Sequence, residues 1–377
     1  MQPKNYGFEE EAGLLKDSAR RFFSERMPID QLHALVAAQP DPEGGPALAW
    51  DPAIWTEMVD LGWTSLAVPE SAGGLGLPWV AVAGLVEELG RGAVPAPLVA
   101  TLQATALLAQ AGDGAHAALA EIAEGKAATV ACLGSDGFGR AELRAEGGRL
   151  NGQAYFVQDA AKCDRYLVCA REDDGAALYW VARDEPGVEL RGNAIVDLTH
   201  DQATLSFSDA KAERLVGDAE AAIAASEAVL WMLVSADMVG AAEWQLQTTV
   251  DYAQQRKQFD RPLGFFQAVK HQLVDVMIAI DESKSLLYSA ACAIDHEPER
   301  ARELAHMAKA SASETAGFAS GRCVQCHGGI GFTWECYVQL YFKRQEHNRR
   351  LWGDAAWHRA RLADLYLGDA RAADRAA

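Results

Sequence analysis

The sequence predicts an α+β fold with helices first, a compact antiparallel β domain second and long helices last. Three observations carry that reading. From Phe8 to about Gly125 apolar residues recur at helical spacing. Around Ala127 the period changes to alternation. From about Asp218 Ala-, Leu- and Met-rich helical stretches return. Helices and strands segregated along a chain mark α+β rather than alternating α/β. At 377 residues the chain exceeds one simple core, and its 50% hydrophobic content is ample for several. The changes of period divide it into an N-terminal α-helical domain at 1–126, a central β domain at 127–217 and a C-terminal helical bundle at 218–377.

In the first region, Leu14, Ala19, Phe22 and Phe23 make one face of a first helix. Asp51 and Pro52 suit the cap and first turn of a helix running through Leu61. A glycine-rich turn covers 68–77, a helix follows from Trp79 to Leu89, and Pro95 and Pro97 close it. Two more Ala/Leu-rich segments run to Gly125. In the second region, alternating segments at 128–133, 141–146, 148–157, 165–171, 177–183 and 202–209 are separated by Gly, Asp and Asn turns. The third region is helical with breaks near Gln258–Gly264, His296–Pro298 and Gly328–Phe332, and the tail Asp369–Ala377 is expected to fray.

The net charge of -19 excludes a general nucleic-acid or anionic-membrane partner, because phosphate affinity rests on clustered Lys and Arg. An anionic ligand must therefore meet a local basic pocket. No apolar stretch approaches the ~20 residues of a membrane span. The start MQPKNYGFEEEAGLL lacks the basic-then-apolar pattern of a signal peptide, so a cytoplasmic location is expected. The seven cysteines sit mostly in apolar runs and read as small buried hydrophobes. Cys323-Val324-Gln325-Cys326-His327 matches the pattern of covalent haem attachment, but that chemistry belongs outside the cytoplasm. The same two cysteines lack a second ligand pair at zinc spacing, and no metal is expected.

Two segments stand out. RKQFDRPLGFFQAVKHQLVDV, from Arg256, opens with the basic cluster Arg256, Lys257 and Arg261 and a Pro-Leu-Gly turn. It continues with apolar residues at Phe266, Val269, Leu273, Val276 and Ile280. That is a helix entered through a cationic loop, and guanidinium forks with a helix start suit a phosphate. CVQCHGGIGFTWE, from Cys323, places Gly328, Gly329 and Gly331 within four positions, where a planar ring or another chain can approach the backbone closely. Helix-end cations and close helix packing are the plainer readings of the same residues.

Together these segments resemble the flavin-binding signature of the acyl-CoA dehydrogenase family. AVPESAGGLGLPWVAVAGLVEELGR, from Ala67, resembles the family stretch in which Pro-Glu and a GGxG turn precede an acidic helix. LNGQAYFVQDAAKCDRYLVCAR, from Leu150, resembles its central strand pair. The resemblance spans nearly the whole chain and implies an α-helical N-terminal domain, a central β-barrel-like domain and a C-terminal four-helix bundle. It also implies the activity: a proton leaves the α-carbon of an acyl-CoA thioester and a hydride leaves the β-carbon for flavin N5, giving a 2-enoyl-CoA. A carboxylate base and two donors at the thioester oxygen are then required. FAD is the implied cofactor, electron-transferring flavoprotein the implied acceptor, and a dimer or dimer of dimers the implied assembly, since the family holds FAD between subunits.

Carried over by motif, Arg256 and Phe259 match residues that reach the FAD diphosphate and adenosine, with Gln267 beside them. Gln325, Gly328 and Gly329 match the stretch along the adenosine end. Tyr155 and Val157 occupy the places that face the isoalloxazine. The loop Cys132-Leu133-Gly134-Ser135-Asp136 replaces a longer Thr-Glu-Pro-Gly loop, and its Ser135 can donate one hydrogen bond. The base departs from the pattern. Of the family's two Glu positions, the first is held here by Trp352 and the second by Leu230, with Trp231 following where Arg is usual. Asp354 and Glu227 are the nearby acids able to substitute, and both also suit solvated or capping roles; Glu335 reads as structural. Trp231 and Trp352 imply a substrate pocket shaped unlike that of straight-chain enzymes. Such departures resemble bacterial members acting on bulky CoA thioesters, some of them heterotetramers in which one subunit supplies the base. The chain is therefore expected to be an acyl-CoA dehydrogenase, or else the non-catalytic partner in a heteromeric one.

Overall fold

A computed structural model describes residues 3–38, 49–137, 139–173, 175–215 and 218–368. The tail from Asp369, and the domain limit placed at residue 217, lie outside the described residues. The chain forms two compact units, one of Met1–His33, Trp79–Val94 and Trp231–Ala377, the other of Ala34–Pro78 and Pro95–Leu230.

The first unit is helical. It holds α1 (Glu10–Arg26), α4 (Trp79–Arg91), most of α7 (Ala219–Gln255), α8 (Gln267–His296), α9 (Pro298–His327), α10 (Val338–Asn348) and α11 (Ala355–Leu367). α4 is buried all round from Val80 to Gly90, including both Glu87 and Glu88. Two buried carboxylates are tolerable only when paired. Glu87 meets Lys16 at 2.6 Å and Lys284 at 2.7 Å and accepts the Tyr288 hydroxyl, while Glu88 takes Arg20 and Arg91 at 2.9 Å each. α4 and α7 touch backbone to backbone: a Cβ on Gly240 would lie 1.8 Å from the Glu87 carbonyl oxygen, and one on Gly90 2.2 Å from that of Asp237. Further along, α7, α8 and α9 close around Ala242, Val276, Ile280 and Ala319. α7 is long and apolar enough to cross a bilayer, yet 83% of its apolar window is buried inside the protein, as in a core helix.

α7 and α8 are joined by a small hairpin, β9 (Lys257–Gln258) against β10 (Arg261–Pro262). Its two turn residues, Phe259 and Asp260, have φ of 51° and 60°, the left-handed pair that a type I′ turn demands.

The second unit holds α3 (Pro52–Asp60), α5 (Leu98–Ala109), α6 (His116–Ala123) and the sheet. As the sequence implies, Asp51 caps α3 by accepting from Ala53 N, with Pro52 in the first turn. The strands are β1 (Ala128–Ala131), β2 (Glu142–Glu146), β3 (Arg149–Gln158), β4 (Arg165–Glu172), β5 (Gly175–Ala182), β6 (Val188–Gly192), β7 (Gln202–Lys211) and β8 (Glu213–Arg214), in the order β6-β7-β3-β2-β4-β5-β8 with β1 beside β4. Most pairs are antiparallel as expected, while β1 and β2 each run parallel to β4. β6 escapes the sequence reading although Val188-Glu189-Leu190-Arg191 alternates apolar and charged, because the run is only five residues long and ends in Gly192. β3 carries a bulge where the register slips between Ala154 and Val157.

Candidate functional site

The cationic hairpin is held by its own backbone. Leu263 N–H donates to the Arg256 carbonyl at 2.8 Å, and the Arg261 guanidinium lies 5.2 Å from the Phe265 ring. Arg256, Lys257, Arg261 and Gln267 are all exposed. Phe259, at the tip, is 87% exposed and its ring meets that of Phe266 nearly at right angles, 6.2 Å between centroids. An apolar ring held out in a strained turn is built to meet something other than its own chain.

The glycine stretch stands at the same end of the helical unit. His327, the last residue of α9, stacks on Tyr252 of α7 at 4.3 Å, four residues before Arg256, and its Nδ1 lies 2.8 Å from the Cys323 carbonyl. Gly328 then takes φ of 66°, which favours glycine. A Cβ on Gly328 or Gly329 would meet nothing within 4 Å, whereas one on Gly331 would lie 2.7 Å from the Val324 carbonyl oxygen. Helix packing therefore accounts for Gly331 but not for the other two, which expose bare backbone beside Gln325. The arrangement fits a flavin dinucleotide: cations for a diphosphate, an exposed aromatic ring, and a side-chain-free strip for a flat base.

In the second unit, Tyr155 N–H donates to the Leu133 carbonyl at 3.0 Å, which brings the loop of Ser135 beside β3. Ser135 is exposed, and Tyr155 is half-buried with its hydroxyl on Gln153 at 2.6 Å. Val157 departs from expectation. It is 1% exposed, because the bulge moves alternation by one residue and turns Phe156 outward at φ 55° instead. Phe156, and not Val157, is the side chain available to an incoming ring on this strand; a Cβ on Gly137 of the Ser135 loop would lie 3.6 Å from it.

Leu230 is buried and Glu227 half-buried on α7. Trp231 also departs from expectation: at 2% exposure it lines no open pocket, its ring packed on His306 at 4.1 Å, His358 at 5.1 Å and Trp357 at 6.0 Å. Trp352 is half-buried at φ 57°, followed by Gly353 at φ 98°, where a Cβ would lie 2.6 Å from the Trp357 ring. Asp354 is exposed and caps α11, its Oδ1 accepting from Trp357 N at 2.9 Å.

Behind this turn lies a cluster that no sequence pattern singled out. The Lys309 ammonium donates to Ser313 Oγ at 3.0 Å, the Gly353 carbonyl at 2.9 Å and the Arg349 carbonyl at 3.3 Å, with the side chain wholly buried. Burial pulls its pKa down to about 7 against the opposing charge of Asp354. His306 and His358 are also buried, and desolvation holds them at about 4 and about 2. The signal was present, since His306, Lys309 and Ser313 recur along one face of α9, yet in sequence such a row is indistinguishable from a solvated stripe.

Comparison with known proteins bears on this geometry. Residues 9–126 match the acyl-CoA dehydrogenase N-terminal domain and residues 230–367 the acyl-CoA dehydrogenase C-terminal domain. Acyl-CoA dehydrogenase IpdE2 of Mycobacterium tuberculosis is 33% identical over 304 residues, covering 80% of this chain and 83% of that one. The chain belongs to the acyl-CoA dehydrogenase family. Among solved structures it superposes on the steroid ACAD Tcur3481-Tcur3483 with a TM-score of 0.84 at 29% identity, covering 98% of this chain and 99% of that one. The ChsE4-ChsE5 complex from Mycobacterium tuberculosis gives 0.85 at 27% identity, covering 96% and 98%. This acyl-CoA dehydrogenase is thus an oxidoreductase for the CH–CH bond of an acyl-CoA thioester, with FAD as cofactor. FAD, when bound, supplies the hydride acceptor for the β-carbon.

Proposed function

We propose that this chain is the FAD-holding subunit of an oligomeric acyl-CoA dehydrogenase acting on bulky acyl groups, with the α-proton taken by a carboxylate of a second, homologous chain. The observation that carries the reading is the family's base position itself: Trp352 and Leu230 occupy it, and Asp354 is engaged in capping α11. The two-chain names of Tcur3481-Tcur3483 and ChsE4-ChsE5 support it. In this reading Arg256 and Gln267 bind the FAD diphosphate, Phe259, Gln325, Gly328 and Gly329 hold the adenosine end, and Ser135, Tyr155 and Phe156 orient the isoalloxazine. Trp352 shapes the acyl site. The domains 1–126, 127–217 and 218–377 keep the family's roles, and electron-transferring flavoprotein is the acceptor. Seven free thiols suit the reducing conditions of a cytoplasm.

A second reading keeps the base in this chain. Asp354 directly follows Gly353, and the cap engages Oδ1, so Oδ2 of the same carboxylate is its means of taking a proton in a self-sufficient homo-oligomer.

The visible spectrum and solution mass of the chain purified alone, before and after addition of short, long and steroid-type acyl-CoAs, separate the two. A protein that is colourless or does not bleach alone, and bleaches once a homologous chain is co-expressed, supports the two-chain reading. A yellow homo-oligomer that bleaches alone overturns it. Loss of that bleaching in Asp354→Ala, with the flavin spectrum intact, then assigns the base to Asp354.

A further inference from the structure

We infer that Lys309 is the positioning residue of the substrate pocket, acting through the backbone of the Arg349–Gly353 turn to fix where Trp352 stands. The inference rests on the reading above that Trp352 faces the acyl group.

The geometry supports a dedicated device. An ammonium carries three N–H donors, and Lys309 finds three oxygens: the Ser313 hydroxyl at 3.0 Å, the Gly353 carbonyl at 2.9 Å and the Arg349 carbonyl at 3.3 Å. Two of the three belong to one turn and bracket Trp352 from either side. Ser313 Oγ also lies 3.4 Å from the Arg349 carbonyl, so one helical turn of α9 grips the same strand of backbone twice. Trp352 sits at φ 57°, a conformation that a bulky residue keeps only when its surroundings impose it. From the far side the Trp357 ring and His358 Nε2 close on Gly353: a Cβ there would lie 2.6 Å from the ring and 3.2 Å from the nitrogen. Trp231, His306 and His358 fill the space behind, without any opening to solvent. Burying an ammonium is expensive, and a Leu or Met would pack the same space without that cost. What the ammonium adds over Leu or Met is three N–H donors, enough to hold both carbonyls and the Ser313 hydroxyl at once.

Lys309 touches neither substrate nor flavin in this scheme, so its effect must pass through Trp352, and that is measurable. The experiment uses the FAD-loaded enzyme, with its second chain where one is needed. It compares kcat/KM for a steroid-type and a short straight-chain acyl-CoA in the parent, Trp352→Ala, Lys309→Met and the double variant. We expect Trp352→Ala to change the ratio of the two kcat/KM values by about tenfold. Lys309→Met should move it by about threefold or more in the parent and leave it unmoved in the Trp352→Ala background, because coupled residues are not additive. Retained FAD content separates this from general loss of fold. If Lys309→Met folds poorly, Ser313→Ala removes one of its three acceptors and should move the ratio in the same direction.

A shift in Trp352→Ala with none in Lys309→Met, or equal shifts by Lys309→Met in both backgrounds, overturns the role of Lys309 and leaves the acyl-site reading standing. An unchanged ratio in Trp352→Ala overturns the placement of Trp352 at the substrate, and this inference with it.

Discussion

The imidazoles of His306 and His358 meet Nδ1 to Nδ1 at 2.7 Å, with neither ring exposed to solvent. Such a pair shares one N–H, so one ring donates and the other accepts, and desolvation by burial keeps both rings neutral at neutral pH. Trp231 stacks on the first ring and meets the edge of the second. The three side chains form a neutral back wall for the Arg349–Gly353 turn, against which the buried ammonium of Lys309 works.

That wall makes the fold acid-sensitive in a defined window. Both histidines are held below the ordinary value of 6.5, at about 4 and about 2. As pH falls below 6.5 the unfolded chain takes up protons that the folded chain refuses, so the histidines' contribution makes the protein lose stability on acidification and is itself flat above neutrality. Each histidine contributes a slope of up to ~1.4 kcal/mol per pH unit. Urea midpoints at pH 7, 6 and 5 measure this. His306→Gln should flatten the slope, and a variant as acid-sensitive as the parent sinks the assignment.

Lys309 works in the opposite range. Its folded pKa is about 7 against a free value of 10.5, so between those values the unfolded chain binds the extra proton and stability rises with pH. The penalty for burying the charge is fully present below pH 7 and relieved by pH 10. Lys309→Met lacks this rise. The difference in urea midpoint, variant minus parent, should therefore be more positive at pH 6 than at pH 9. A difference independent of pH means that Lys309 has an ordinary pKa in the folded protein.

Much of the fold was legible because period and caps are local. The switch at Ala127, the Asp51–Pro52 helix start and the breaks at Gln258, His296 and Gly328 all fall where the chain changes structure. What escaped depends on contacts between distant residues. Val157 was placed at the flavin by motif alone, and a motif does not show the bulge between Ala154 and Val157 that turns this side chain inward. Trp231 was assigned to a pocket although two histidines and Trp357, more than seventy residues away in sequence, enclose it. The burial of Glu87 and Glu88 is likewise invisible until Lys16, Arg20, Lys284 and Tyr288 are brought to them.

The two open glycines and the closed one should behave differently. Gly329→Ala places its methyl in empty space, so the apo fold should keep its melting temperature while FAD retention falls. Gly331→Ala drives a methyl to 2.7 Å from the Val324 carbonyl and should destabilise the fold by about 1–3 kcal/mol. Thermal melts and the flavin-to-protein absorbance ratio after gel filtration check both. Equal FAD content in Gly329→Ala and the parent removes the bare backbone strip from the cofactor site.

The hairpin tip gives the cleanest separation of folding from cofactor binding. Phe259 and Asp260 both sit at positive φ, where a type I′ turn normally has Asn or Gly, so the tip carries strain that its own sequence does not relieve. Asp260→Gly should raise stability by about 0.5–1 kcal/mol, the relief at φ 60° being partly offset by the freer unfolded chain. Phe259→Ala removes a ring that is 87% exposed, and almost no buried apolar area goes with it. The apo protein should therefore melt where the parent does, while FAD dissociates faster, as followed by the rise of free-flavin fluorescence on dilution. A Phe259→Ala protein that melts early would mean that the ring supports the chain's own fold. One that holds FAD as tightly as the parent would mean that the strained tip serves a contact other than the flavin.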